Sequence, residues 1–256
     1  VQARKEWQGM AESVLVFILG LLVGSFLNVC ICRLPRGESI VFAPSRCPAC
    51  GRCLSAVELV PLFSWLVQRG RCRGCGATVS WRYPLVELLT GFAFLLLFCQ
   101  LGLTAAFAVS AAFFACLIVI AFIDLEHQLI PNRLVAVLSG IAVVRQVFWP
   151  EMPLASAVWG ALAGSLLLLA LALVTKGGMG GGDVKLMLPL GFYSGLQGTL
   201  LLLLLAFVAG GLVGGLLMLL KVKGRKDAIP FGPFLALAAL VAAKAGRQIL
   251  DWYLAL

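Results

Sequence analysis

Long apolar runs separated by short breaks rich in Pro, Gly and charge make up most of this chain. A spanning helix needs about 20 mainly apolar residues, fewer when buried inside a bundle. On that basis spans are predicted at Ser13–Cys32, Pro84–Leu103, Thr104–Ile123, Leu134–Trp149, Leu154–Thr175, Val184–Tyr193, Thr199–Leu220 and Ile229–Ile249. The sixth is short or extended, and only Gln100-Leu101-Gly102 marks the turn before the third. The fold class expected is therefore an all-α polytopic membrane protein with about eight transmembrane helices. A small cytoplasmic loop domain is expected between the first two.

Composition agrees, because 256 residues that are 62% hydrophobic and 12% charged exceed what a soluble domain of this length can bury. Arg4 and Lys5 followed by Val14–Val23 imitate a signal peptide. GSFLNVCICRLP offers no small-x-small cleavage site, however, and the apolar run continues to Ile31, so an uncleaved first helix is expected. The net charge of +9 resides in loops between apolar runs, which favours lipid headgroups over nucleic acid as partner.

With eight spans, fifteen basic residues fall on one side: Arg33, Arg36, Arg46, Arg52, Arg69, Arg71, Arg73, Arg82, Arg133, Lys176, Lys185, Lys221, Lys223, Arg225 and Lys226. Five, Arg4, Lys5, Arg145, Lys244 and Arg247, fall on the other. Positive charge stays inside. Both termini are thus expected outside and the loop Arg33–Tyr83 in the cytoplasm.

Two acids stand out, Asp124 in AFIDLEHQLIPN and Asp183 in KGGMGGGDVKLM. Each lies at the cytoplasmic edge of an apolar run, where a carboxylate is costly and marks a functional site by default. Glycines before Asp183 permit close backbone approach and unusual φ. Two carboxylates close together share a proton, the arrangement that activates water against a peptide carbonyl. Ordinary helix-end roles are the plain alternative for both. His127, the single histidine, reads as a bystander. Asp183 begins a helix and Asp124 ends one, so the helix dipoles predict Asp183 as resting carboxylate and Asp124 as acid.

Cys47-Pro-Ala-Cys50-Gly and Cys72-Arg-Gly-Cys75-Gly form two knuckles, each with CxxC spacing followed by Gly. Four thiolates would complete a closed, structural Zn2+ shell. A reducing compartment disfavours disulfides, and a matched pair of knuckles disfavours a redox role. Cys53 competes with Cys50 as a ligand. Cys30, Cys32, Cys99 and Cys116 read as small buried apolar residues. Between the knuckles, VELVPLFSWLV is too short to span and suits an interfacial segment or packed cap.

These residues resemble the bacterial type IV prepilin peptidases, leader peptidase/N-methyltransferases of the GxGD intramembrane aspartic protease type. The resemblance rests on GSFLNVCICRLPRG (24–37), the cysteine loop, IDLEHQLIPN (123–132), GMGGGDVKLM (178–187) and IPFGPFLAL (229–237), in that order. It implies catalytic roles for Asp124 and Asp183. It also implies removal of a short basic leader from prepilins or pseudopilins at the cytoplasmic face of the inner membrane. N-methylation of the new N-terminus, usually phenylalanine, from S-adenosylmethionine is a further implication, tied to the cysteine loop. Gly24, Ser25, Asn28 and Arg33 match the N-terminal block and are candidates for binding the methyl donor; Gly24 and Ser25 fit helix packing equally well.

Three segments follow from this assignment: a first helix at 1–32, a cysteine loop with the methyltransferase part at 33–83, and an aspartic peptidase domain at 84–256. Pro230 and Pro233 either punctuate a helix start or free backbone groups to hold an extended peptide. Lys185 is expected to meet an acidic residue of the substrate. The alternative function is a cation-coupled transporter using both aspartates as a relay, but such sites lie at internal-repeat interfaces near the bilayer midplane.

Overall fold

A computed structural model of the chain describes residues 2–42, 44–175, 178–222, 224 and 229–254. Lys176, Lys223, Arg225 and Lys226 of the basic face lie outside them. The described residues form helices, with no strand beyond two single antiparallel bridges. The helices are α1 (Gln2–Arg33), α2 (Phe63–Val67), α3 (Arg82–Leu101), α4 (Ala105–His127), α5 (Asn132–Phe148), α6 (Leu154–Val174), α7 (Gly181–Leu219) and α8 (Gly232–Leu254).

Five of them, α1, α3, α4, α6 and α7, are long and apolar enough to cross a membrane, and α8 holds a shorter apolar stretch. The chain is a multi-pass membrane protein. α7 has 39 residues, and about 58 Å of helix would overshoot some 30 Å of hydrocarbon. It breaks at Gly195, where φ is 68° and ψ is 177°, a conformation open to glycine. The chain doubles back there. Thr199 Oγ1 donates to the Gly191 carbonyl at 3.4 Å, whereas eight residues of unbroken helix would separate them by about 12 Å. A Cβ on Gly164 of α6 would likewise meet both Met187 and Thr199. The two arms match the expected sixth and seventh spans, and α5 and α8, shorter, stand at the expected fourth and eighth.

The chain divides into two compact units, Val1–Phe107 and Ala108–Leu256. In the first, α1 and α3 pack through glycines: a Cβ on Gly20 would lie 2.7 Å from Gly91 Cα, and one on Gly24 2.7 Å from Glu87 Cα. α3, grouped by the sequence with the aspartate-bearing helices, clusters here with α1.

In the second unit, α6 packs against the α7 hairpin, with Gly160 backbone against Gly191 and Gly195. The turn at Gly195 is clamped. Leu196 N–H donates to Ser156 Oγ at 3.2 Å, and Met152 fills the space a side chain at 195 would need. Nearby, buried Arg145 pairs with Glu151 at 2.6 Å and lies 4.5 Å from the centre of the Tyr193 ring. Tyr193 in turn stacks on Phe113 at 4.1 Å. A buried cation held by a carboxylate and a ring face costs far less than a lone one.

Candidate active site and metal centre

The two knuckles are copies of one turn, offset by 25 residues. Cys47 N–H donates to the Arg52 carbonyl and Cys72 N–H to that of Ala77, each at 2.9 Å. Gly51 and Gly76 N–H return to Cys47 and Cys72, again at 2.9 Å. Both glycines take left-handed φ, 72° and 71°, which explains their place in the motif. Single bridges, Arg46 to Cys53 and Arg71 to Thr78, close the two turns.

The four sulfurs of Cys47, Cys50, Cys72 and Cys75 lie within 4.8 Å of one another. Metal–thiolate bonds of about 2.3 Å in a tetrahedron place sulfurs about 3.8 Å apart, and Cys47 and Cys75 are 3.9 Å apart. The quartet therefore fits a metal ion. Amides of Cys75 and Gly74 push the Cys72 thiol down to about 6. Cys75, although it receives the Ala77 amide, is pushed up to about 11 by its neighbours, first among them Cys50. So many thiols crowded together lose protons together only beside a cation. Cys53 is exposed and stands outside the quartet.

Arg52 joins the knuckles, its guanidinium lying over Gly74 while it pairs with buried Glu58 at 2.5 Å. Ser55 N–H, together with Arg52, holds the Glu58 carboxyl down to about 2. The apolar stretch between the knuckles is a 3-10 turn (Ala56–Leu59) followed by α2, not one continuous helix. Leu62 joins them at φ 60°, ψ −54°, its N–H donating to Glu87 Oε2 at 2.8 Å. Val57, Leu59, Val60, Phe63, Leu66 and Val67 are exposed, an apolar face of the kind that lies on a bilayer.

The four N-terminal candidates are largely occupied by internal contacts. Gly24 is packed on α3, and Ser25 hydrogen-bonds Glu87. Arg33 donates to the carbonyls of Ser39 at 3.1 Å and Pro44 at 3.0 Å. Asn28 Nδ2 donates to the Gly24 and Tyr83 carbonyls at 3.3 and 3.1 Å, but its buried Oδ1 has no partner. Of the cysteines expected to be buried and apolar, Cys30 is buried, while Cys32 is half-buried and accepts from Arg82 Nη2 at 2.9 Å. Cys116 is half-buried and Cys99 exposed. Arg82 at the foot of α3 reaches the Cys32 sulfur, giving that thiol a polar role.

The second unit brings the two aspartate segments together. Gly182 approaches Ile130 so closely that a Cβ would sit 3.0 Å from it, and Lys185 donates to Asn132 Oδ1 at 3.3 Å. Close approach, rather than unusual φ, is what this glycine run supplies, since none of its described members has positive φ. Asp124 and Asp183 are each 6% exposed, and their charges act on one another. His127 is exposed.

Gly232 was not foreseen. Its N–H, the first of α8, donates to Asp124 Oδ2 at 2.9 Å. Asp124 thus ends α4 but caps the N-terminus of α8, while Asp183 sits in the first turn of α7 and receives the Gly180 amide. Both carboxylates face the positive end of a helix. The dipole asymmetry predicted from the sequence considered only the helix each acid belongs to, and it does not hold. The feature that separates the two is Asp183 Oδ1, which is buried without a partner. The first turn around Gly232 is also where Pro230 and Pro233 act. Phe234 and Leu235 N–H return to the Phe231 carbonyl at 3.0 and 3.1 Å, an ordinary helix start.

Comparison with known proteins extends this picture. Residues 18–101 match the model of the bacterial peptidase A24 N-terminal domain, and residues 111–215 match that of the type IV leader peptidase family. A prepilin leader peptidase/N-methyltransferase of Bacillus subtilis is 32% identical over 94% of this chain and 97% of its own length. One from Aeromonas salmonicida is 38% identical over 94% of this chain and 93% of its own. One from Myxococcus xanthus reaches 48% identity over 52% of this chain and 41% of its own length. No solved structure matches the chain at a significant level. Relatives aligned end to end, and family models that account for the helix–loop–helix of the first unit and the aspartate-bearing helices of the second, make this chain a member of the type IV leader peptidase family.

Proposed function

We propose that this chain removes the leader peptide from type IV prepilins or pseudopilins by an aspartate dyad and N-methylates the new N-terminal residue. The relatives' shared name supports both activities and gives no support to a cation transporter. The observation that carries the peptidase reading is the pair of buried carboxylates at adjoining helix N-termini, Asp124 and Asp183, acting on each other's charge. The ionised member takes a proton from water as it attacks the scissile carbonyl, and the protonated member gives its proton to the carbonyl oxygen. Collapse of the tetrahedral intermediate breaks the C–N bond, and the amine leaves with a proton from the dyad. Helix N-termini steady the negative charge throughout without reorganising.

The thiol quartet is proposed to hold Zn2+, which closes the two knuckles into one body; four thiolates leave no open position, so the ion is structural. The methyl donor is S-adenosylmethionine, as the name of the relatives implies. Of Gly24, Ser25, Asn28 and Arg33, Asn28 keeps a free acceptor and is the residue retained for donor binding. The segment 33–83 is assigned to methyl transfer, with the exposed apolar face of its α2 region against lipid. The chain is placed in the bacterial inner membrane with its active site to the cytoplasm and both termini outside, on the bias of basic residues.

The test is incubation of purified protein with a prepilin, following leader loss by mass. Wild type should release the leader and leave a methylated amine when S-adenosylmethionine is present. Asp124→Asn and Asp183→Asn should each leave the substrate whole. Continued cleavage by the double variant would exclude the dyad.

A further inference from the structure

One buried acid of the first unit takes no part in the chemistry above. Glu87 lies early in α3, about 8 Å along the helix from Arg82, and is as buried as the two aspartates. A buried acid in a spanning helix marks a functional site by default. Glu58, also buried, is paired with Arg52, whereas Glu87 has no cationic partner among the described residues. It receives the Leu62 amide on Oε2 at 2.8 Å and the Ser25 hydroxyl, and both bonds are received, as a carboxylate receives them. Leu62 is strained in offering that amide. Its φ of 60° and ψ of −54°, with Phe63 N–H on the Pro61 carbonyl at 2.6 Å, make a γ-turn of the rare kind. A non-glycine residue stays in such a conformation only where its surroundings impose it. Along the same seam Gly24 packs on Glu87. One turn further Asn28 meets the Tyr83 carbonyl through Nδ2, while its buried Oδ1 has no partner.

We propose that Glu87 is the proton acceptor for methyl transfer, and that the incoming amine takes the place of Leu62 N–H on Oε2. This rests on the methyl-transfer assignment above. An ammonium must lose a proton before its nitrogen can attack carbon. In the transfer the nitrogen forms an N–C bond, the C–S bond of the sulfonium breaks with its pair left on sulfur, and the amine's proton passes to Glu87. Other carboxylates of the first unit are poorly placed: Glu12 and Glu38 are exposed, and Glu58 is held by its arginine. The single histidine, His127, belongs to the second unit. Release of the γ-turn offsets the loss of the Leu62 bond, so an arriving N–H donor can displace that amide. Asn28 Oδ1 adds a second acceptor on the same seam, suited to a cationic methyl donor.

The experiment uses full-length protein with a prepilin, and with the cleaved peptide carrying a free amine. Glu87→Gln keeps an acceptor for the Leu62 amide but takes no proton. Leader cleavage should stay within about threefold of wild type, while methyl transfer falls about a hundredfold or more. The residual rate should climb about tenfold per pH unit up to about 7.7, the amine's own ionisation, a slope that wild type lacks. Methyl transfer within about threefold of wild type, or a fall that keeps the wild-type pH slope, overturns the proposal. A second readout needs neither variant nor methyl donor. Free-amine peptide should raise amide exchange at residues 62–67 of wild type by about tenfold or more, and the same peptide with an acetylated terminus should not. Should Glu87→Gln fail to fold, this readout decides, and equal exchange with both peptides overturns the proposal. Failure of the underlying assignment looks different: wild type then leaves the amine unmethylated at every pH.

Discussion

The cysteine loop and the aspartate site face the same difficulty, gathering groups that repel one another when ionised, and meet it by opposite means. In the loop the ligands come from two copies of a five-residue turn, each closed by its own amides before the copies meet. In the aspartate site the partners come from distant segments: Asp124 and the amide that holds it are 108 residues apart. Asp183 takes the nearby Gly180 amide, but only helix packing brings the two acids together. The contrast teaches that a local device tolerates change around it and, with the ion proposed above, depends on one added charge. A non-local device carries its charge on helix ends and depends on every glycine that lets those ends approach.

The sharpest way to break the comparison is at the carboxylates. Asp124→Asn or Asp183→Asn should lower cleavage by about a thousandfold or more, while the metal content of the purified protein, read by elemental analysis, stays at wild-type level. Next in size is metal removal. Cys47→Ser with Cys72→Ser, or a strong chelator, should abolish methyl transfer and amide-exchange protection over residues 45–79, because binding energy of a structural ion is folding energy. Leader cleavage should persist within about tenfold. Equal loss of both activities would mean the two regions do not stand alone.

Gly232→Ala sharpens the non-local side. Its Cβ would lie 2.8 Å from Asp124 Oδ2, so the carboxylate shifts, and kcat should fall by about ten- to a hundredfold with KM little changed. Gly195→Ala should cost about 1–3 kcal/mol in unfolding experiments, since alanine disfavours the conformation there and Met152 fills the space.

The smallest effect concerns acid. Glu58 is held at about 2 by the Ser55 amide and Arg52, below its ordinary 4.5. Its stabilisation of the loop is therefore complete above the ordinary value and lost as pH falls from there through about 2. Hydrogen exchange of the loop should show that loss in wild type and not in Glu58→Gln, which starts from the weakened state.

Much of this was legible in the chain because it is written locally. CxxCG twice marks, by spacing alone, the four thiols that the fold gathers, and an acid at the edge of an apolar run announces its cost. The long helices follow from run lengths, as does the short first arm of α7. What stayed hidden lies in contacts between distant residues. The amide of Gly232 carries no mark saying which carboxylate it will meet, so the electrostatics of Asp124 were misjudged from its own helix. The reversal at Gly195 reads in the chain as one more glycine among many. Arg82 on the Cys32 sulfur was likewise invisible, since a thiol within an apolar run looks like any small hydrophobe.

The hairpin at Gly195 works as a calliper. Asp183 stands twelve residues before the pivot and Phe207 twelve after it, so equal arms bring the carboxylate and that ring to one cavity. One residue added to either arm would slide that jaw by about 1.5 Å and swing it by roughly 100°, turning ring or carboxylate away from the other. Arm length, and not only residue identity, thus decides whether the carboxylate and the rings share one cavity.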